Sequence, residues 1–167
     1  RQTLSNPCAL EVAGLLQFQT PEFRLNAKAD RIDRTPDGHL RIYDYKTGAP
    51  PTTRQEAAFD RQLHLEAVMA EAGAFDGLPA AMVEGASYVR VGSIYDEVAI
   101  DLSPAAIEEA RDGICELAAH FLFSDRGFTS RNAPRSDDAL GDYDHLARFG
   151  EWNPTSDPVH LPLGDDR

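Results

Sequence analysis

The chain has 167 residues, 42% of them hydrophobic and 26% charged, a length and balance expected of one globular domain with a core of its own. Sixteen basic against twenty-eight acidic residues leave a net charge of −12, the reverse of the basic footprint usual for a nucleic-acid-binding domain. No apolar run approaches a membrane span, so no membrane partner is expected, and the polar start RQTLSNPCAL lacks the apolar centre of a signal peptide.

Residues 1–9 carry no periodic pattern and read as irregular. Residues 10–18 read as a first strand, Thr20-Pro21 as a turn, 23–34 as a second strand and 39–46 as a third. Together they make an antiparallel meander. Between the second and third strands stands Pro36-Asp37-Gly38. Pro presets φ for the first turn position, and Gly takes the left-handed conformation that closes a three-residue hairpin loop. That loop sets the register: Thr35 faces His39, Asp33 faces Arg41, Ile32 faces Ile42, Asp30 faces Asp44 and Lys28 faces Lys46. Side chains alternate along a strand, so Lys28, Asp30, Asp44 and Lys46 project from one face. Asp33 and Arg41 make an opposite-charge pair across the ladder.

Adjacent carboxylates repel, and burial would raise the pKa of at least one. A divalent cation removes that penalty. Asp30 and Asp44, with the Tyr45 backbone carbonyl and water, form an oxygen donor set suited to Mg²⁺. A cation there would polarise a phosphoryl oxygen and lower the pKa of water. Lys46, one alternation from Asp44, would orient the attacking water or offset charge developing on phosphate. Asp-x-Lys alone is common and usually marks a solvated strand end, so Asp30 and Asp44 could equally be ordinary exposed hairpin residues. The joint pattern of two register-matched Asp, a Lys two positions on and Thr47-Gly48 favours a site.

Gly48-Ala49-Pro50-Pro51 ends the third strand. Thr52 or Thr53 can cap a helix over 54–72, with Phe59, Leu63, Ala67 and Ala70 on its core stripe. Gln62, Glu66 and Met69 share a neighbouring stripe. Gln62 is either a boundary residue or points to the hairpin; Glu66 either joins the acidic site or is solvated; His64 is expected at the surface. Strands are expected over 82–91 and 95–102, separated by a Gly92-Ser93 turn. Ser103-Pro104 opens a helix, with Ser as cap and Pro at the first helical position. Ile107, Ala110, Ile114, Leu117, Ala118 and Phe121 form its apolar stripe, ending near Phe123. Residues 131–167 read as an extended tail with one anchor over 143–152, where Phe149 and Trp152 could dock; Asp144 and His145 are expected to be surface residues. Cys8 and Cys115 lack metal-ligand spacing and are expected to be reduced thiols, so neither zinc nor an iron–sulfur cluster is expected.

The runs ADRID, IYDYKTG and QLHLEA together resemble the RecB-type nuclease domain of the PD-(D/E)xK superfamily. Within it, the chain is most similar to the C-terminal nuclease domain of AddB, a helicase–nuclease subunit of bacterial double-strand-break repair. The tail GDYDHLARFGEW is similar to the end of alphaproteobacterial-type AddB chains. The resemblance spans about residues 12–152. It implies an α/β, restriction-endonuclease-like fold over 1–130: a mixed central sheet with an antiparallel catalytic meander, flanked by helices, followed by the tail 131–167. It implies a Mg²⁺-dependent (or Mn²⁺-dependent) DNA exonuclease domain in the cytoplasm, whose partners are DNA, an AddA-type helicase–nuclease subunit and the remainder of the parent AddB chain. The alternative is an inactive nuclease-fold scaffold of the same complex. Residue by residue, the metal-binding Asp positions fall on Asp30 and Asp44, the catalytic Lys on Lys46 and the motif Gln on Gln62. Many RecB-type nucleases place Tyr four residues after that Gln; here it is Glu66. The resemblance also implies an upstream helix carrying a further ligand, expected to have been cut away with the rest of a longer chain that began before Arg1. Glu11, at the start of a strand, is not expected to replace it.

Overall fold

The computed structural model describes residues 5–48, 61–92 and 95–123. Internal contacts divide the chain into units Arg1–Ala118 and Ala119–Arg167. Of the second unit only 119–123 are described, so the anchor over 143–152 with Asp144, His145, Phe149 and Trp152 lies outside the described residues.

Five strands form one mixed sheet in chain order: β1 (Asn6–Gln19), β2 (Glu22–Arg34), β3 (Leu40–Lys46), β4 (Val83–Arg90) and β5 (Asp96–Ala99). β1, β2 and β3 are the expected antiparallel meander. β3 and β4 run parallel, which requires a crossover, and helix α1 (Gln62–Glu71) lies on it. β5 returns antiparallel to β4. Helix α2 (Pro104–Leu122) follows, with Ser103 Oγ accepting from Ala106 N–H at 3.3 Å as its cap. This α/β architecture is the one expected of a restriction-endonuclease-like core.

Some boundaries differ from expectation. Residues 6–9 are strand rather than irregular, because β1 pairs with the far end of β2 as far as Asn6–Arg34. β5 is shorter than 95–102, since its ladder with β4 covers only Asp96–Ala99. Thr52, Thr53 and Phe59 lie outside the described residues, so the expected helix is described only from Gln62. Leu117, placed on the apolar stripe of α2, is 52% exposed, whereas Ile107, Ala110 and Ala118 are buried. Neither described helix is long and apolar enough to cross a membrane.

The core lies mainly between one face of the sheet and α1. Ile32, Leu40, Ile42, Ala86 and Tyr88 meet Leu63, Ala67, Met69 and Ala70, all at 3% exposure or less. Each large side chain buried this way contributes about 1.5–3 kcal/mol. Unlike the single stripe expected, α1 is buried around most of its circumference, His64 and Glu66 included. His64, expected at the surface, is 3% exposed, and its Nε2 lies 3.1 Å from the Asp101 carbonyl. The segment after β5 therefore covers the side of α1 that the hydrophobic pattern assigned to solvent.

Gly14 marks a close approach. It bridges to Phe75, and a Cβ at this position would stand 2.6 Å from the Phe75 ring. Gly14→Ala should cost about 1–3 kcal/mol through overpacking, read as a lowered urea midpoint. An unchanged midpoint would mean that the Phe75 ring moves aside freely.

Candidate functional site

The β2–β3 hairpin carries most of the candidate residues. Thr35 N–H donates to His39 O and Gly38 N–H to Thr35 O, each at 2.9 Å, and Gly38 has φ 85°, as the three-residue loop requires. The register then runs Arg34–Leu40, Asp33–Arg41, Ile32–Ile42 and Arg31–Tyr43, as expected. Pairing stops one step before Asp30–Asp44. There the Asp30 carboxylate accepts from the Tyr45 backbone N–H at 2.8 Å, so a side chain stands in for the ladder. On its other side Asp30 is also skipped, since Leu10 pairs with Arg31 and Val12 with Ala29. The intervening Glu11 has φ 48°, a left-handed backbone that costs a non-glycine residue about 1–3 kcal/mol.

One ion pair differs from the sequence reading. Asp33 lies opposite Arg41 in register, but its carboxylate accepts from Arg31 at 2.6 and 2.8 Å and from Ser5 Oγ at 2.8 Å. Arg41 instead donates to Glu84 at 2.7 Å. Lys28, placed by the register on the face of Asp30 and Asp44, is exposed and pairs with Glu11.

Asp44 ends the core-facing row Leu40–Ile42–Asp44, which is why the residue is only 3% exposed. A buried carboxylate is costly unless paired. Lys46 Nζ lies 2.8 Å from Asp44 Oδ2, a close ion pair that lacks hydrogen-bond alignment. Gln62, at the first position of α1, donates its Nε2–H to Asp44 Oδ1 at 2.7 Å and to Glu66 Oε1 at 3.0 Å. The Gln62 Oε1 accepts from Lys46 Nζ at 3.2 Å. Lys46 also stands 5.6 Å above the Tyr88 ring. The structure thus brings Asp44, Lys46 and Gln62 into one hydrogen-bonded group, with Asp30 tied to the Tyr45 amide beside it.

Glu66 is the residue whose place the sequence left open. It lies one turn after Gln62 and is 2% exposed. Burial pushes its carboxyl up to about 7, the Gln62 hydrogen bond pulls the other way, and the Asp44 and Asp30 charges raise it further. Its Oε2 is buried with no hydrogen-bond partner among the described residues. Tyr88 is the other neighbour that sequence reading missed. Its place beside Asp44 follows from the parallel β3–β4 register, which no local motif announces.

A hard divalent cation fits these donors. Asp44 already faces one positive group, and Glu66 adds a buried oxygen with no hydrogen-bond partner among the described residues. All the donors are oxygens, the preference of Mg²⁺ and Mn²⁺. Among the described residues no three His, Cys, Asp or Glu side chains stand close enough to hold an ion by themselves. Asp30 and Asp44 would therefore need the Tyr45 carbonyl and water to complete the shell. The two thiols, Cys8 and Cys115, are free. A cleft of about 880 Å³ between α1 and α2 touches this group only at Gln62. Its α2 wall carries Glu108, Glu109, Asp112 and Glu116, a poor surface for a phosphodiester.

Compared with protein families, residues 1–137 match the PD-(D/E)XK nuclease superfamily. The chain belongs to the PD-(D/E)XK nuclease superfamily. Nucleases of this superfamily typically use divalent metals, and membership points to hydrolytic nuclease activity. No curated protein matches the chain.

Proposed function

We propose that this PD-(D/E)XK chain is a Mg²⁺-dependent deoxyribonuclease, the exonuclease domain of an AddAB-type helicase–nuclease in double-strand-break repair. The observation that carries the catalytic part is the Asp44–Lys46–Gln62 group beside Asp30. An inactive scaffold has no need of a buried carboxylate and an ammonium, ion-paired and both hydrogen-bonded to one carboxamide at a sheet end. The assignment to AddAB rests on the resemblance of ADRID, IYDYKTG and the tail, with an AddA-type subunit and the rest of an AddB chain as partners.

In this reading Asp30, Asp44 and the Tyr45 carbonyl would hold the cation. When bound, it supplies Lewis acidity to the phosphoryl oxygens and lowers the pKa of water. Lys46 moves from its contact with Asp44 to the phosphate or the attacking water, where its charge opposes that developing in in-line displacement. Gln62 bridges Asp44 and Lys46 and limits the positions either can take. The net charge of −12 opposes DNA binding, so affinity is weak and falls further with salt.

The test is cleavage of end-labelled linear duplex against closed circular DNA, in Mg²⁺ and in EDTA. Mg²⁺-dependent release of nucleotides from linear ends alone is the expected result. Cutting of the closed circle overturns the exonuclease assignment, and no cleavage of either substrate by the full-length parent protein favours the scaffold. Co-purification of an AddA-type subunit with the native chain tests the assembly separately.

A further inference from the structure

We infer that Glu66 is a third carboxylate serving the cation site, an outer-sphere acceptor that holds the ion's hydration shell from the α1 side and fixes the Gln62 carboxamide. The inference rests on the metal-dependent reading above.

Three observations carry it. First, one nitrogen, Gln62 Nε2, donates to both Asp44 Oδ1 at 2.7 Å and Glu66 Oε1 at 3.0 Å. Two carboxylates from different elements thus converge on a single electropositive group. Second, Glu66 is 2% exposed, yet its Oε2 has no hydrogen-bond partner among the described residues. A buried carboxylate oxygen left bare costs stability for no structural return, and an apolar side chain of similar size would serve packing better. Third, the charged groups that act on this carboxylate are Asp44, Asp30 and Lys46, the members of the candidate site itself. Glu66 therefore sits at the back of the site and not in an unrelated part of the core.

The same geometry says how Glu66 acts. The Gln62 amide stands between it and Asp44, and the described acids do not enclose an ion directly. Mg²⁺ keeps several of its waters, and these need acceptors. Oε2 is a free acceptor with a full or partial negative charge. Oε1 meanwhile orients the Gln62 amide so that its nitrogen faces Asp44 and its oxygen faces Lys46. Glu66 is thus a positioning residue, and outer-shell partners of this kind change metal affinity about 10–100-fold.

The test is Mn²⁺ binding, read from the electron paramagnetic resonance signal of the free ion, with the 167-residue chain. Glu66→Gln keeps an acceptor for Gln62 but removes the charge; Glu66→Leu removes the polar group altogether. Circular dichroism of the metal-free proteins confirms that each variant folds. The expected result is Mn²⁺ affinity lowered about 10–100-fold in both, with Asp44→Asn as the reference for loss of an inner ligand. Wild-type affinity in either folded Glu66 variant, with Asp44→Asn impaired, overturns the role of Glu66 and leaves the site standing. Unchanged binding in Asp44→Asn, or none in the wild type, removes the cation site and this inference with it.

Discussion

Asp44→Asn should lower DNA cleavage by about four orders of magnitude while the protein stays folded. The side chain is nearly isosteric, and its oxygen can still accept from the Gln62 amide, a contact of 2.7 Å in the wild type. What is lost is the negative charge at the end of the core-facing row. That charge serves twice in the proposed site, holding the cation and the Lys46 ammonium at 2.8 Å. Groups that act as a unit fail together, so losing one costs nearly as much as losing all. Stability should change little, because Lys46 is about one-third exposed and its ammonium can return to water. Cleavage rates on linear duplex, with thermal melting as a check on folding, decide the matter. Activity within tenfold of wild type in Asp44→Asn would remove Asp44 from the chemistry.

The second large effect is one of stability, and it has the opposite sign. In metal-free protein at pH 8, Glu66→Gln should be more stable than wild type by up to about 3 kcal/mol. Burial raises the Glu66 carboxyl from its ordinary 4.5 to about 7. The folded state therefore binds more proton than the unfolded state across that interval. Wild-type stability falls as pH rises from about 4.5 to 7, and the loss is complete above 7. Gln does not ionise and keeps its contact with Gln62. Urea unfolding in EDTA should give matching stabilities near pH 4 and a gap that opens through this window. Equal stabilities at pH 8 would mean that Glu66 ionises in the fold at no cost. A substitution that stabilises the empty protein while weakening cation binding is what a residue kept for function predicts.

The hairpin was legible because its information is local. Pro36-Asp37-Gly38 fixes the loop, the loop fixes the register, and alternation then puts Asp30, Ile32, Ile42 and Asp44 in phase. Ser103-Pro104 was readable for the same reason, since a cap acts on its own first turn. The Asp33–Arg41 pairing was only half legible. The positions face each other, but Arg31 and Ser5 reach the Asp33 carboxylate while Glu84 takes Arg41. Facing positions set distance between strands, whereas competition among all nearby charges decides which pair forms.

Helical periodicity describes one buried stripe, so it assigns His64 to the surface and does not place Glu66. A second covering layer comes from residues far along the chain, such as Asp101 over His64. The segment's own sequence thus determined the strands, the turn and the order of Asp, Asp, Lys and Gln, since each rests on contacts within a few residues. Only tertiary structure decided that Gln62 reaches Asp44, that Tyr88 lies beneath Lys46 and that Glu66 is shut away from water. Those facts depend on how a crossover helix settles on a sheet, and burial is a property of everything packed around a residue.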